Sequence, residues 1–363
     1  MKKNFKLFTL LLCVFLMITC ISISGLSAGA QETSKKYKIG YDIYWLGNTW
    51  SVMLAEEFKY AVERPEYKDI VEAVYTESES DTNKMLNNVE DLIAQNCDAI
   101  IITPTSEAAL NPVLRKAREA GIKVVLCATR VDDPEAYDAL VYYDNYIIAK
   151  QRMEWMARKL NYKGKIIDVL GIAGYAATTD SIKGHHEVAD KYKDIEIIGT
   201  IDGMWSYAKT KNEMSNALIA YPQIDGVLNI NGAGTVGAIE AFEDAGRPLV
   251  PITGEDNNGF LKKWVWIRKQ QEAGNEFYYK FDSCAHAMPV YLSVTSLDVA
   301  IKLLQGIPLE FEKDYRFPKS ILEQGSGLIY ADRLDGFVKP DLPDGINTLT
   351  TLSDEELNEI FKQ

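Results

Sequence analysis

Histidine and cysteine are scarce in this chain of 363 residues, which has three of the first and five of the second. Cys13 and Cys20 fall in an apolar leader, leaving Cys97, Cys127 and Cys284 scattered along the remainder. Three scattered cysteines make neither a disulfide framework nor a zinc pattern, and spacing cannot pair any two of them. Cys97 and Cys127 border apolar stretches, where a thiol behaves as a small buried hydrophobe. His185 and His186 are adjacent on an expected helix, so they point to different sides, lack metal spacing and are expected on the surface. No G-x-S-x-G accompanies them, which removes the nucleophile elbow of an acyl-transfer triad. The acid pairs Glu56-Glu57 and Glu355-Glu356 read as solvated helix faces rather than a glycosidase pair. No catalytic residue, metal or cofactor is therefore assigned.

Positive charge is also in short supply. Thirty-nine Lys and Arg face 52 Asp and Glu, a formal charge of −13 with no basic tract. Nucleic acid and anionic membrane surfaces are poor partners for such a chain. Lys2, Lys3 and Lys6 precede an apolar run from Leu7 to about Ile23, and small residues follow, ending in Ala28-Gly29-Ala30. That order is a secretory signal peptide, residues 1–30, and predicts export to a periplasmic or cell-surface location. A membrane anchor needs roughly 20 unbroken apolar residues, and Thr9, Thr19, Cys20, Ser22 and Ser24 dilute this run. Met17-Ile18-Thr19-Cys20 loosely resembles a lipobox, so anchoring as a lipoprotein through Cys20 is the alternative processing. Without the leader, 333 residues carry a charge of −16, a length that favours two lobes.

Strand-like and helix-like segments alternate along that remainder. Strands are expected at 37–44, 70–75, 99–102, 123–127 and 140–143, with helices at 50–62, 81–95 and 107–120 between them. After a helix at 146–160 the pattern restarts, with strands at 165–170, 195–201, 226–230 and 249–253 and helices at 180–192, 208–221 and 235–245. Single helices between strands imply parallel β-α-β units with right-handed crossovers. The expected fold is therefore α/β: two similar doubly wound parallel-sheet lobes. A helix at 289–305, a strand at 315–322 and a capping-box helix from Ser353 to Phe361 close the chain.

Gly232, Gly234 and Gly237 spell G-x-G-x-x-G between an expected strand and helix, with Glu255 and Asp256 about twenty residues on. Locally this is the fingerprint of a dinucleotide site. Its place argues otherwise, because the fingerprint marks the first β-α turn of its domain and this turn comes late in the second lobe, after strands at 165–170, 195–201 and 226–230. The same glycines can instead let a ligand approach the backbone at a strand end.

The order of motifs resembles the type 1 periplasmic solute-binding proteins, with the ribose-binding branch as the nearest match. IGYDIYWLGNTWSVML, DAIIITPTSEAALNPVLRKAREAGIKVV, YYDN, GIAGYAATTDSIKGHHE, AYPQIDGVLNIN and VPITGED carry the resemblance over residues 37–322. It implies a periplasmic-binding-protein type 1 fold, with residues 37–143 and 288–318 as the N-terminal lobe. Residues 144–287 and 319–363 then form the C-terminal lobe with its tail, and hinge strands join the two.

For the site, the resemblance implies ligand contacts from Asn48, Trp50, Trp205, Asn231 and Asp256. Where sugar binders place Asp-Arg, this chain has Ala128-Thr129 with Arg130 one step later; where they place an arginine, Thr179 stands. The polar residue usual at the third crossing falls near His286. With Trp45, these residues describe an aromatic cleft suited to stacking a sugar ring, or to holding an ammonium group by cation-π attraction. The implied role is capture of a small polar ligand, a saccharide, by a monomer that delivers it to an ABC permease. A receptor signalling to a membrane sensor kinase is the alternative, and an exported nicotinamide-dependent oxidoreductase a remote one. A sugar-responsive repressor would need DNA-binding helices before Tyr37, where the leader lies.

Overall fold

Short apolar runs become the strands of two sheets in a computed structural model that describes residues 36–316 and 327–362. The first lobe is built on β1 (Tyr37–Ile43), β2 (Val71–Glu77), β3 (Ala99–Ile102), β4 (Lys123–Ala128), β5 (Ala139–Tyr142) and β11 (Asp314–Arg316). They pair in parallel in the order β11-β5-β4-β3-β1-β2. Helices α1 (Thr49–Val62), α2 (Thr82–Ala94) and α3 (Asn111–Glu119) connect the first four strands, and α9 (Leu292–Gln305) returns to pack on β4. All four residues of β3 are fully buried, as a strand covered on both faces requires. Removing Ile100 or Ile101 to Ala there would cost about 2–5 kcal/mol.

The second lobe repeats the plan. Strands β7 (Asp194–Asp202), β6 (Lys163–Leu170) and β8 (Gly226–Leu228) are parallel neighbours. A bridge from Val227 to Ile252 leads on to β9 (Gly254–Glu255), β10 (Ala285–His286) and the antiparallel β12 (Leu328–Ile329). Helices α4 (Asn145–Lys159), α5 (Ala176–Ala189), α6 (Tyr207–Ala220), α7 (Gly232–Asp244) and α8 (Asn258–Glu272) cover this sheet. Among the described residues, chain crossings at 142–145 and 286–290 join the lobes. The two doubly wound parallel lobes form the type 1 arrangement, and no described helix is long and apolar enough to cross a membrane.

Several elements depart from the sequence expectations for local reasons. Helix α3 begins at Asn111, four residues late, because Pro112 sits in its first turn and proline tolerates only that position. Helix α5 starts four residues early, at Ala176. Helix α8 was not expected at all, although Asn257 caps it by accepting from Phe260 N at 3.1 Å. Beyond Arg316 the expected strand at 315–322 lies mostly outside the described residues, as does the leader. Helix α10 (Asp354–Ile360) carries the capping box between Ser353 and Glu356.

The tail was placed with the second lobe. Residues 339–347 do lie there, along the start of α8, but Leu352, Leu357 and Phe361 pack with Met53 and Tyr60 of α1 in the first lobe. Glu57, expected on a solvated face, is fully buried beneath that tail. His185 is likewise not on the surface: it is 1% exposed and its Nδ1 meets Asp168 Oδ2 at 2.9 Å. Cys97, Cys127 and Cys284 are all buried free thiols.

Candidate functional site

Ligand sites in parallel sheets open beyond the carboxyl ends of strands, and here the loops after β1, β3, β4, β6, β7 and β8 face one another across the lobes. They line a narrow, partly open cavity of about 70 Å³. From the first lobe Asn48 lines this cavity while its Oδ1 accepts from Ser51 N at 2.8 Å, capping α1. Two residues on, Trp50 lines it with its indole Nε1 donating to Met288 O at 3.2 Å, which ties the ring to the second crossing. Ala128 holds a left-handed φ of +69°, a conformation costing roughly 1–2 kcal/mol for an alanine. It turns the chain at the end of β4, where both Ala128 and Thr129 reach the cavity.

The second lobe contributes Trp205, which also has a positive φ, +53°. Its indole lies so close over Gly171 that a Cβ there would sit 2.3 Å from the ring. Tyr175 meets Trp205 edge-on at 5.3 Å and Tyr44 at 6.2 Å, while Trp50 meets Tyr143 at 6.4 Å. Five aromatic rings therefore wall the cavity, in the edge-to-face arrangement that their quadrupoles favour. Asn231 caps α7 through Gly234 N at 2.7 Å and donates its Nδ2 to Glu255 Oε1 at 3.2 Å.

Polarity within these walls is sparse. Thr103 Oγ1, Thr129 Oγ1 and Asn145 Oδ1 are buried with no partner among the described residues, and all three residues line the cavity. Leaving such a group unpaired costs about 1–3 kcal/mol, a deficit that a bound hydroxyl removes. Among the described residues, Glu255 is the one lining residue with a carboxylate, and no lysine, arginine or histidine lines the cavity. Burial, then the neighbouring Asp256 charge, push its carboxyl up to about 8, against the pull of Gly232 N–H, Arg152 and Asn231. Arg152 is itself fully buried, and burial brings its guanidinium down to about 10.

Residues 39–291 match the family model described as a periplasmic binding protein domain. The chain belongs to that family. Over 237 residues this periplasmic binding protein is 30% identical to a xylitol-binding protein of Mycolicibacterium smegmatis, covering 64% of this chain and 66% of that one. It is 28% identical to the D-ribose/D-allose-binding protein of Pseudomonas aeruginosa over 317 residues, 84% of this chain and 93% of the relative. An ABC transporter solute-binding protein from Thermobispora bispora superimposes with a TM-score of 0.72 at 21% identity, over 89% of this chain and 94% of its own. These relatives are binding proteins rather than enzymes.

Within this periplasmic binding protein the expected site residues divide into two groups. Asn48, Trp50, Thr129, Trp205 and Asn231 line the cavity together. Trp45, Arg130, Thr179, Asp256 and His286 do not. Trp45 folds over Gly47, where a Cβ would come within 1.9 Å of its ring. Arg130 spends its guanidinium on Glu107 at 2.8 Å and, across the lobes, on Asp180 at 2.7 Å. Thr179 Oγ1 turns back to Tyr175 O at 3.3 Å, and Ala177 lines the cavity in its place. His286 is 1% exposed against Arg152 and Gln151, and burial beside that guanidinium holds its imidazole well below the usual range.

Asp256 is the instructive case. It is fully buried, with Oδ1 accepting from Met288 N at 2.9 Å and Asn347 Nδ2 at 3.3 Å, and Oδ2 from Leu349 N at 3.1 Å. Adjacent residues on a strand point to opposite sides, so Glu255, one place earlier, takes the cavity face. That parity was the signal available in VPITGED. Tyr143 and Asn145 sat inside the YYDN crossing, and no pattern in the sequence singled out Tyr175 or Thr103.

The glycine motif has a packing explanation. A Cβ at Gly237 would lie 2.5 Å from Tyr207 O, and one at Gly232 2.4 Å from Asn257 Cβ. The glycines let α7 press against α6 and against the loop that caps α8. Among the described residues no cluster of His, Cys, Asp or Glu could hold a metal ion.

Proposed function

We propose that this periplasmic binding protein captures a neutral saccharide or polyol outside the cytoplasm and hands it to an ABC permease. The observation that carries the reading is the set of three unpaired polar atoms on Thr103, Thr129 and Asn145, residues that line a cavity walled by five aromatic rings. A sugar ring has apolar C–H faces for the rings and hydroxyls for those atoms and for Asn48, Asn231 and Glu255. Xylitol and ribose or allose, named for the relatives, have this chemistry. No basic residue among the described residues lines the cavity, which disfavours anionic sugars such as uronates and sugar phosphates, because their charge would be buried unpaired.

Binding acts on the lobes because Thr129, Asn48 and Trp50 come from one and Trp205, Asn231 and Glu255 from the other. Only the closed arrangement lets both groups touch one ligand, so the ligand favours that state. The leader, a monomeric state and the absence of catalysis belong to this reading. A thermal-shift screen of residues 31–363 against xylitol, pentoses, hexoses, uronates, quaternary amines and NAD tests it, since a ligand stabilises by RT ln(1 + [L]/Kd). A shift confined to neutral polyhydroxy compounds, and lost in Trp205→Ala, is expected. A shift with NAD or with uronates and no neutral sugar would overturn it.

A further inference from the structure

The residues on the side of Asp256 away from the cavity form a second polar system. Two fully buried carboxylates anchor it, Asp256 in the second lobe and Glu57 on α1 in the first. Between them runs the segment Asn347–Thr351. At its start, Asn347 Nδ2 and Leu349 N donate to Asp256, while Thr348 N donates to Asp256 O at 3.0 Å. At its end, Thr351 N donates to Glu57 Oε1 at 2.7 Å, and the hydroxyls of Thr350 and Thr351 donate to the same carboxylate. Arg64 adds a bond to Thr351 Oγ1 at 3.0 Å, and Val290 N, at the second crossing, donates to Leu349 O at 3.2 Å.

What precedes and follows this segment is anchored in different lobes. Upstream, Asn258 Nδ2 holds the carbonyls of Lys339, Leu342 and Pro343, and Gly259 N holds Asp344 O. Downstream, Leu352 and Leu357 are buried against Met53 of α1. A fully buried carboxylate is costly unless hydrogen-bonded, and each of these two is bonded chiefly by this one stretch of chain. Asp256 also grips Met288 N, and Met288 O holds the Trp50 indole in the cavity wall.

We propose that Asn347–Thr351 is a strap, a further connection between the lobes, and that Asp256 and Glu57 are positioning residues through which it sets the open–closed balance and the seat of Trp50. This deepens the proposed function, and its test separates from it. Opening changes the apparent affinity by the fraction of molecules in the binding-competent state. The lobes of ligand-free protein are measured by small-angle X-ray scattering in the wild type, Glu57→Gln, Thr350→Val/Thr351→Val and Thr350→Ser/Thr351→Ser.

The valine pair is the key variant, since Thr351 is exposed and valine keeps the shape of each threonine while removing only its hydroxyl. A larger radius of gyration for the valine pair and for Glu57→Gln is expected, with the serine pair like wild type because it keeps both hydroxyls. Affinity for whichever of xylitol, D-ribose and D-allose binds should fall about tenfold alongside. A folded valine pair with the wild-type scattering profile overturns the strap, whether or not any of the three probes binds.

Discussion

Glu255 and Asp256 are neighbours in sequence and opposites in use. Glu255 looks into a cavity whose lining retains three buried polar atoms without partners. Asp256 looks away from it, and both of its oxygens accept hydrogen bonds from the second crossing and the tail. The front of the molecule is polar chemistry left incomplete, and the back is polar chemistry brought to completion. The difference separates groups that can recognise a ligand from groups that hold the fold, although both are buried acids.

The comparison can be broken most severely at Asp256. Asp256→Ala strands two backbone N–H groups and the Asn347 amide, and should lower unfolding free energy by about 3 kcal/mol or more, read by denaturant titration. Glu255→Gln should leave stability equal or higher near neutral pH while weakening ligand binding about tenfold, read by calorimetry. If both variants behave alike, the division between the two faces is wrong. Trp205→Ala and Trp50→Ala should each weaken binding about tenfold or more without unfolding the protein, because each removes a stacking face.

A smaller effect, but a diagnostic one, is the pH dependence of Glu255. With its carboxyl raised from 4.5 to about 8, the folded chain keeps a proton that the unfolded chain has already released. The unfolded state binds fewer protons between those values, so this group makes stability fall as pH rises from about 4.5 to 8 and adds no slope above. Glu255→Gln should flatten that part of the profile. Hydroxyls donating to the carboxylate favour its ionised form, so binding should release a proton and tighten toward pH 8. Calorimetry in two buffers of different ionisation heat reads that proton.

The smallest expected effects come from the two residues that the sequence pointed to and the fold diverted. Arg130→Met removes a half-exposed interlobe ion pair to Asp180 and should weaken binding about two- to fivefold, less at high salt. Thr179→Val, whose hydroxyl turns to its own helix, should change affinity by less than about twofold. A large loss in Thr179→Val would return that position to the cavity.

How far the sequence reached follows from the range of the signals. Alternation of apolar runs and helical periods made β1 to β8 legible within a few residues, and with them the two-lobed parallel architecture. These are local patterns, repeated in one stretch after another. Helix α8 escaped because KKWVWIRKQQ mixes charge and aromatic residues without a clean apolar stripe. In the site, Asn48, Trp50 and Asn231, named by the family resemblance, do line the cavity. Trp45 could not, since its ring had a closer surface in Gly47.

By itself, then, the sequence determined the fold class, the order of the lobes and the strand ends at which a ligand could sit. Strand periodicity and capping are properties of a few consecutive residues, and they survive translation into structure. Only the tertiary structure decided which of two adjacent carboxylates faces the cavity. It alone turned Glu57 from a solvated acid into a buried anchor, and Arg130 from a ligand contact into an interlobe ion pair. Those outcomes depend on what arrives from elsewhere in the chain: the tail 300 residues beyond α1, Asp180 from the other lobe, Met288 from the crossing. Burial and pairing are settled by partners distant in sequence, and no local pattern names them.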